Sequence, residues 1–454
     1  MNKFLFDEFD PVSASQWKQK IQFDIKGDDY NQTLLTHTTD GITIKPFYHA
    51  DEFEKIEIPK IDKNYKICQT IFISNEIKAN TIALDSLKRG AESIKFIVPK
   101  KINTNTLLDS IFQLFPNVEI HFDFHFLDKA FVTQLINQLK EKKIYYNIDL
   151  IKNLAETGNW FNNQKNDYEI VENLFNLTNK NQYLLGVNAS IYQNAGGNNL
   201  QQIAYALAIA NEYLNQFGSL AAHQIQFQFS VGSNYFFEIS KLRAFRYLWK
   251  LLLSEYNIEA EPKILVEPTL RNKTLYDYNT NMLRTTTECM SAILGGVTTI
   301  SNVSYDRIFK KRNEFGERIA RNQLLILREE SNFKDTAQIA NNSYFIESVT
   351  KQMAEKSLNL FKEIEQSGGF LKQLKEGTIQ RKVTENAKKE QELFDEKKII
   401  LLGSNKFPNP ADQMKSNIEI YPFIRKKVRK TLITPIIQIR LSEQYEQKRL
   451  DHEA

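Results

Sequence analysis

Residues 225–231, IQFQFSV, alternate apolar and polar side chains with a period of two. Such alternation is typical of a β-strand whose two faces meet different surroundings. The same pattern recurs at residues 119–125, where His121, Asp123 and His125 share one face, and at residues 145–149. Strands of an ordinary parallel sheet are buried on both faces and read as continuous apolar runs. One face of these strands is therefore predicted to meet polar groups.

Eight β-rich runs follow one another from Ile67, and segments with helical spacing alternate with them. The candidate strands are 67–73, 93–98, 118–124, 143–149, 183–189, 225–231, 262–266 and 297–301. The candidate helices are 81–88, 104–114, 127–140, 200–215, 240–254, 282–294 and 317–328. Eight βα units in about 260 residues predict an α/β fold, a (β/α)8 TIM barrel. A doubly wound sheet is the alternative, but its Gly-rich phosphate loop is absent.

The polar strand faces would line the lumen of such a barrel. The lumen would then hold water, a threaded ligand or a plug of hydrogen-bonded side chains. The alternative is that some strands are misassigned and their polar residues are ordinary satisfied groups.

Three regions are predicted along the chain. Residues 1–62 form an N-terminal extended arm, residues 63–335 the barrel, and residues 336–454 a C-terminal helical extension that closes the barrel domain. In the extension, residues 347–366 and 370–396 read as two long charged helices separated by a Gly-Gly pair, which favours a helix end. They could pack against the barrel or against a partner. The basic run 425–430 is more typical of a solvated face than of anion or nucleic-acid contact.

Composition indicates a soluble, cytoplasmic protein. The 454 residues are 42% apolar and carry a net charge of +4, too small to favour a nucleic-acid or membrane partner. Two cysteines, Cys68 and Cys289, cannot make a disulfide framework and fit a reducing compartment. The first 13 residues lack the apolar run of a signal peptide, and no run approaches the roughly 20 apolar residues of a membrane span.

Two groups of residues could carry chemistry. His121, Asp123 and His125 are candidate zinc or iron ligands, although residues two apart on a strand lie roughly 6.5 Å apart and converge poorly on one ion. A polar lumen with His–Asp hydrogen bonding is the favoured interpretation. Cys289, beside Glu288, could be a nucleophile with His223 as its base.

The cysteine lies in a predicted helix, where a buried structural thiol is the commoner explanation. The motifs G-x-S-x-G, Walker A, G-x-G-x-x-G and H-E-x-x-H are absent. From the residues alone, no catalytic centre stands out.

Several segments occur in the order found in one enzyme family. Residues 40–48, DGITIKPFY, resemble an EGI-x-x-x-PLY segment, and residues 193–197, QNAGG, resemble QEAGA. Residues 229–249 are similar to G-x-x-FF-x-EI-x-KLRA-x-R-x-LW, and residues 281–288 to N-x-x-R-T-x-x-E. Together they resemble the adenosylcobalamin-dependent acyl-CoA mutases, in particular the small, non-catalytic subunits of heterodimeric methylmalonyl-CoA mutases. The resemblance implies a barrel that threads the pantetheine of CoA along a polar lumen.

The departures from the family pattern bear on function. Catalytic members carry S-G-Y-H-M-Q before the QEAGA motif, and their histidine polarises the substrate thioester. Here Ser190 and Ile191 stand at the positions of the family tyrosine and histidine. The R-x-Y-A-G motif has no counterpart at residues 65–70, nor has the carboxylate-binding arginine at 143–162. No D-x-H-x-x-G cobalamin motif follows, and His452 is the one late histidine.

The resemblance therefore implies a subunit without catalytic residues, which binds no cofactor or metal by itself and lacks a cobalamin-binding domain. It would stabilise a catalytic large subunit that carries adenosylcobalamin and interconverts (R)-methylmalonyl-CoA and succinyl-CoA. One alternative is a residual acyl-CoA-binding module, in which Arg243 holds a CoA phosphate rather than a helix salt bridge. The other is a stand-alone metal-dependent barrel enzyme that uses His121, Asp123 and His125.

Overall fold

Eight parallel strands close into a barrel in a computed structural model that describes residues 8–60, 65–336, 338–424 and 429–453. The strand order is β10-β3-β4-β5-β6-β7-β8-β9. These are β3 (Lys66–Phe72), β4 (Ser93–Val98), β5 (Glu119–Phe124), β6 (Ile144–Ile148), β7 (Gln182–Asn188), β8 (Ile225–Val231), β9 (Lys263–Pro268) and β10 (Thr299–Ser301). Each overlaps its predicted range, so the predicted (β/α)8 fold is confirmed.

Helices surround the barrel and extend beyond it. The first two, α1 (Ala14–Asp24) and α2 (Tyr30–Leu34), precede the hairpin of β1 (Thr36–His37) and β2 (Thr43–Ile44). The barrel helices are α3 (Glu76–Lys88), α4 (Thr104–Leu114), α5 (Lys129–Gln138), α6 (Leu150–Thr157), α7 (Gln164–Phe175), α8 (Ser190–Asn194), α9 (Asn199–Phe217), α10 (Ser219–His223), α11 (Tyr235–Glu255), α12 (Thr280–Gly295) and α13 (Glu314–Leu325). Those that follow are α14 (Tyr344–Gln366), α15 (Phe370–Lys375), α16 (Thr378–Asp395) and α17 (Glu443–Asp451).

Asparagine and aspartate residues start most of the barrel helices. Each accepts a hydrogen bond from a backbone N–H in the first turn of its helix, which satisfies a donor that has no partner inside the helix. These N-caps are Asn75, Asn103, Asp128, Asp149, Asn163, Asn198, Asn234 and Asn313. The sequence thus encodes where the chain turns from strand to helix.

The outward strand faces are apolar and pack under the helices. In β8, Phe227 contacts Phe245 and Trp249 of α11 with ring centroids 4.7 and 4.9 Å apart. The alternate residues Gln226, Gln228 and Ser230 point into the barrel. The two-faced strands predicted from the alternation are therefore present.

The helices differ from the sequence-based expectation in two ways. The segment predicted as one helix over 370–396 is divided into α15 and α16, because Gly377 adopts a φ of +80° between them. That left-handed conformation suits glycine and interrupts the helix. Helices α6 and α7 form where no helix was predicted.

The C-terminal helices lie on the barrel rather than standing free. Helix α14 packs against α9 and α11, and α15 contacts α9. Gln352 of α14 also donates to the backbone oxygen of Thr43 at 3.0 Å, which ties the N-terminal hairpin to the same surface.

Some predicted features fall partly outside the described residues. The predicted boundary between the arm and the barrel lies among residues 61–64, and residues 425–428 of the basic run are also outside. Of that run, Arg429 donates to the backbone oxygen of Thr157 at 2.7 Å. Within the described ranges, no helix combines the length and apolar character needed to cross a membrane.

Candidate functional site

A polar cavity of about 360 Å³ opens where the barrel strands end. Its walls come from the carboxyl ends of β3, β4, β5, β7, β8 and β9 and from the start of α6 and α8. In TIM barrels this end carries the active site. The cavity is therefore the candidate functional site.

A charged pair crosses the lumen at the floor of this cavity. The Nζ atom of Lys95 lies 3.3 Å from Oε1 of Gln228 and 3.5 Å from Oε2 of Glu267. Thr70 donates a 2.8 Å hydrogen bond to the other Glu267 oxygen. Although burial opposes the charge, Glu267 and Asp123 raise the pKa of Lys95 above its usual value. The ammonium stays charged and links β4 to β8 and β9.

An aromatic and amide layer fills the lumen deeper in the barrel. Nδ1 of His121 lies 2.9 Å from Oε1 of Gln226, and both side chains are fully buried. The His121 ring stacks on Tyr145, which in turn stacks on Tyr183, with centroids 4.3 and 4.5 Å apart. Burial lowers the pKa of His121 to about 4, so the imidazole is neutral at pH 7. Side chains of β5, β6, β7 and β8 therefore form a plug inside the barrel, held by one hydrogen bond and two ring stacks.

A second buried ion pair forms one wall of the cavity. Nζ of Lys152 lies 3.4 Å from Oδ1 of Asp123 and 3.1 Å from Oε2 of Glu156. Burial opposes the Lys152 charge, but the two carboxylates raise the pKa of the ammonium well above its usual range. This lysine is already neutralised by protein carboxylates.

Ser190 and Ile191, which the sequence resemblance predicts at the positions of the family tyrosine and histidine, lie at the start of α8 directly after β7. Both line the cavity, and Ile191 is buried. The Ser190 hydroxyl donates to the side-chain oxygen of Asn188. A hydrocarbon cannot donate a hydrogen bond to a carbonyl oxygen, so Ile191 offers no stabilisation to developing negative charge.

The three candidate metal ligands do not converge. His121 is held in the lumen plug, Asp123 pairs with Lys152, and His125 is exposed beyond the end of β5. Among the residues that the structure describes, no group of three His, Cys, Asp or Glu side chains could hold a metal ion. The metal-dependent alternative therefore lacks its ligand set.

Arg243 lies away from the cavity, between α11 and α14. It is 1% exposed, its guanidinium is 2.6 Å from Oε1 of Glu347, and it also donates to Asn341. These contacts favour the ion-pair interpretation over a phosphate contact. Binding of CoA by Arg243 stays a prediction that a direct measurement must test.

Cys289 is a fully buried residue of α12, as expected of a structural thiol. Burial raises the pKa of this thiol well above its usual value. Its charged neighbours are Glu288 and Lys273, which pair at 2.8 Å, whereas His223 is exposed on α10. The conditions for a Cys–His nucleophile are not met here.

Three charged residues of the lumen, Lys95, Lys152 and Glu267, were not predicted as site residues. One signal was available, because Lys95 stands between Ile94 and Phe96 in an otherwise apolar strand. A charge in the middle of a buried strand requires a partner. The sequence does not reveal which residue supplies it.

Residues 137–451 match the family model described as methylmalonyl-CoA mutase. A curated relative, the methylmalonyl-CoA mutase small subunit of Porphyromonas gingivalis, is 30% identical over 444 residues, which cover 89% of this chain and 71% of that protein. The chain belongs to the methylmalonyl-CoA mutase family. The resemblance found in the sequence, including that to a small subunit, is thereby confirmed.

Other members of the methylmalonyl-CoA mutase family match over different extents. The enzyme of Cereibacter sphaeroides is 33% identical over 227 residues, covering 47% of this chain and 32% of that protein. The mitochondrial enzyme of Macaca fascicularis is 24% identical over 455 residues, covering 86% of this chain and 60% of that protein.

Methylmalonyl-CoA mutases depend on cobalamin, a cofactor that contains cobalt. The side chain that most often ligates a transition metal in proteins is the imidazole of histidine. None of the described residues lining the mouth cavity is a histidine, and His121 below it is buried with Nδ1 bonded to Gln226. These residues do not fit a cobalt-ligating site, and no step of the reaction is assigned to them.

Proposed function

We propose that this chain is the non-catalytic small subunit of a heterodimeric methylmalonyl-CoA mutase. Its catalytic large subunit would carry adenosylcobalamin and interconvert (R)-methylmalonyl-CoA and succinyl-CoA by a radical mechanism. The observation that carries the proposal is the filled lumen. Catalytic members thread the pantetheine of CoA along this path, and here Lys95, Glu267, His121 and Gln226 occupy it.

Opening the lumen would be costly. Threading a ligand would separate Lys95 from Glu267 and would leave the Gln226 amide and the His121 ring without their mutual hydrogen bond. Breaking a buried ion pair costs about 3–5 kcal/mol, and each orphaned buried polar group adds about 1–3 kcal/mol. The pantetheine chain is uncharged, so it cannot replace the ionic interaction that Lys95 and Glu267 would lose. Substrate binding through this barrel is therefore strongly disfavoured.

The second support is the missing proton donor. Even a substrate at the barrel mouth would meet Ile191 where a polarising group is needed. Loss of a general acid or of one oxyanion donor typically lowers the rate by about 10²–10⁴-fold. Together, the filled lumen and the aliphatic side chain of Ile191 favour a non-catalytic role for this chain.

A subunit of this kind stabilises the large subunit by binding to it. A partner that binds only the folded form of the large subunit shifts its folding equilibrium in favour of that form. The relative from Porphyromonas gingivalis is named a small subunit, which supports pairing with a larger chain.

Reconstitution tests the proposal. The purified chain is incubated with adenosylcobalamin and methylmalonyl-CoA, alone and after co-expression with a cobalamin-binding mutase chain. We expect no turnover and no cobalamin absorbance from the chain alone. Co-expression should give a single heterodimer peak in size-exclusion chromatography and a higher Tm for the large chain. The matched control is the large chain expressed alone.

Turnover by the isolated chain would overturn the proposal. So would a failure to form a complex with a mutase large chain encoded with it.

A further inference from the structure

A larger cavity, of about 810 Å³, lies outside the barrel near the start of β9. The C-terminal half of α11 forms one wall, and the loop over residues 257–262 forms another. None of its described lining residues is shared with the cavity at the barrel mouth. The two cavities are therefore separate sites.

Arg246 of α11 lines this cavity and is 3% exposed. Among the residues that the structure describes, no carboxylate pairs with it. Its guanidinium donates a 3.2 Å hydrogen bond to the backbone oxygen of Pro59, and its Nε atom has no hydrogen-bond partner among the described residues. Burial and the neighbouring Arg243 lower the pKa of Arg246 to about 9.

A guanidinium stays protonated in proteins, so this charge is buried and not compensated by the described protein groups. An isolated buried charge is strongly unfavourable unless an anion accompanies it. By contrast, Arg243 is paired with Glu347. The two arginines lie on the same face of α11, and Arg246 is the one that borders open space.

A second unsatisfied donor lies beside Arg246. Trp249 is 1% exposed and lines the same cavity, and within the described part of the chain its Nε1–H has no hydrogen-bond partner. Residues three apart on a helix are neighbours on one face, so the two donors lie close together. Buried polar groups are almost always satisfied by protein, water or ligand.

The rest of the cavity is suited to an apolar body. Leu253, Ile258 and Ala260 contribute hydrocarbon, while Glu259 and Glu261 are exposed at the edge. Concave, largely apolar pockets with a few convergent polar groups are typical small-molecule sites. The edge also carries Lys250, and Glu261 pairs with Lys263 at 3.4 Å, so the one buried guanidinium sets the charge of the ligand.

We propose that this cavity binds an organic monoanion. Its carboxylate or phosphodiester head, each with one negative charge, pairs with the guanidinium of Arg246, and its apolar part contacts the hydrocarbon wall. The inference is independent of the proposed function, because it concerns a different cavity.

Calorimetric titration of the full chain tests the site. The probes are octanoate and methyl octyl phosphate, two monoanions that share an octyl-length tail and differ in the head, with octanol as the uncharged control. We expect at least one anion to bind at least tenfold more tightly than octanol, and the better anion identifies the head group. Binding should also change the tryptophan fluorescence, since Trp249 is one of three tryptophans in the chain.

Arg246→Met should weaken anion binding at least tenfold. Its matched control is Arg381→Met, the same substitution at an exposed arginine of α16, which should bind as the wild type does. Without ligand, Arg246→Met should keep or raise the Tm, because it removes a buried charge that no described carboxylate compensates.

Three results would overturn the inference: equal affinity for octanol and both anions, equal affinity of wild type and Arg246→Met, or a large fall in the ligand-free Tm of that variant. The first comparison uses wild-type protein and holds even if the variant does not fold.

Discussion

The Lys95–Glu267 pair in the lumen should respond asymmetrically to mutation. The lysine side chain is 5% exposed, whereas the glutamate is 27% exposed at the mouth cavity. Removing either charge leaves the other without its partner. The cost depends on how well solvent reaches the charge that remains.

Glu267→Gln leaves a buried ammonium whose nearest remaining acceptor is Gln228, with Asp123 supplying more distant attraction. We expect a loss of about 2–4 kcal/mol, somewhat below the usual cost of breaking a buried pair because of Asp123. Lys95→Met leaves a partly solvated carboxylate that still accepts from Thr70. We expect a loss of about 1–2 kcal/mol for this variant.

The double variant Lys95→Met/Glu267→Gln leaves no unpaired charge. Its loss should fall short of the sum of the single losses by about 1–3 kcal/mol. Equilibrium urea unfolding, monitored by far-UV circular dichroism, gives the unfolding free energy of the wild type and of the three variants. The comparison requires that the four proteins have the same m-value.

Two outcomes would refute this reasoning. One is a Lys95→Met variant that is no more stable than Glu267→Gln. The other is strict additivity in the double variant, which would mean that the two side chains do not interact.

Four further predictions follow from the structure. Ile191→His in the assembled heterodimer should leave kcat unchanged, because no substrate reaches that position; a steady-state assay checks this. Burial raises the pKa of Asp149 to about 6, so its folded form binds more protons than the unfolded chain, and stability is lost as the pH rises. In urea unfolding, the wild type should therefore lose about 2 kcal/mol relative to Asp149→Asn between pH 4 and pH 6, whereas a constant difference would contradict the assigned pKa. Arg243→Ala should lower the unfolding free energy by about 3–5 kcal/mol and leave CoA retention in equilibrium dialysis unchanged; weaker retention would restore the acyl-CoA-binding alternative. Cys68 and Cys289 are buried with raised thiol pKa values, so a thiol reagent at pH 8 should label neither in the native protein and both in urea.

The barrel was predictable because its signals are local. A period of two marks the strands, helical spacing marks the helices, and capping residues such as Asn103 and Asp128 mark where helices begin. The break at Gly377 carried a weaker signal, because one glycine inside a charged helical pattern is often tolerated.

The sequence predicted that polar groups line the candidate site, but not which of these groups pair with each other. Alternation in β5 and β8 indicated that polar groups face the lumen, and a plug was one of three expected occupants. Which groups pair there depends on strand register around a closed barrel. Arg243 shows the same limit, since Glu347, its partner, belongs to a helix outside the barrel.

The sequence by itself determined the number of βα units, the polarity of the strand faces and the aliphatic side chain at Ile191, because each is a property of neighbouring residues. Only the tertiary structure decided that the lumen is filled and that Arg246 borders a cavity while pairing with none of the described carboxylates. Lys95 meets Glu267 across 172 residues, and His121 meets Gln226 across 105. Closure of the barrel brings such distant groups within hydrogen-bonding distance, and local sequence patterns do not encode that geometry.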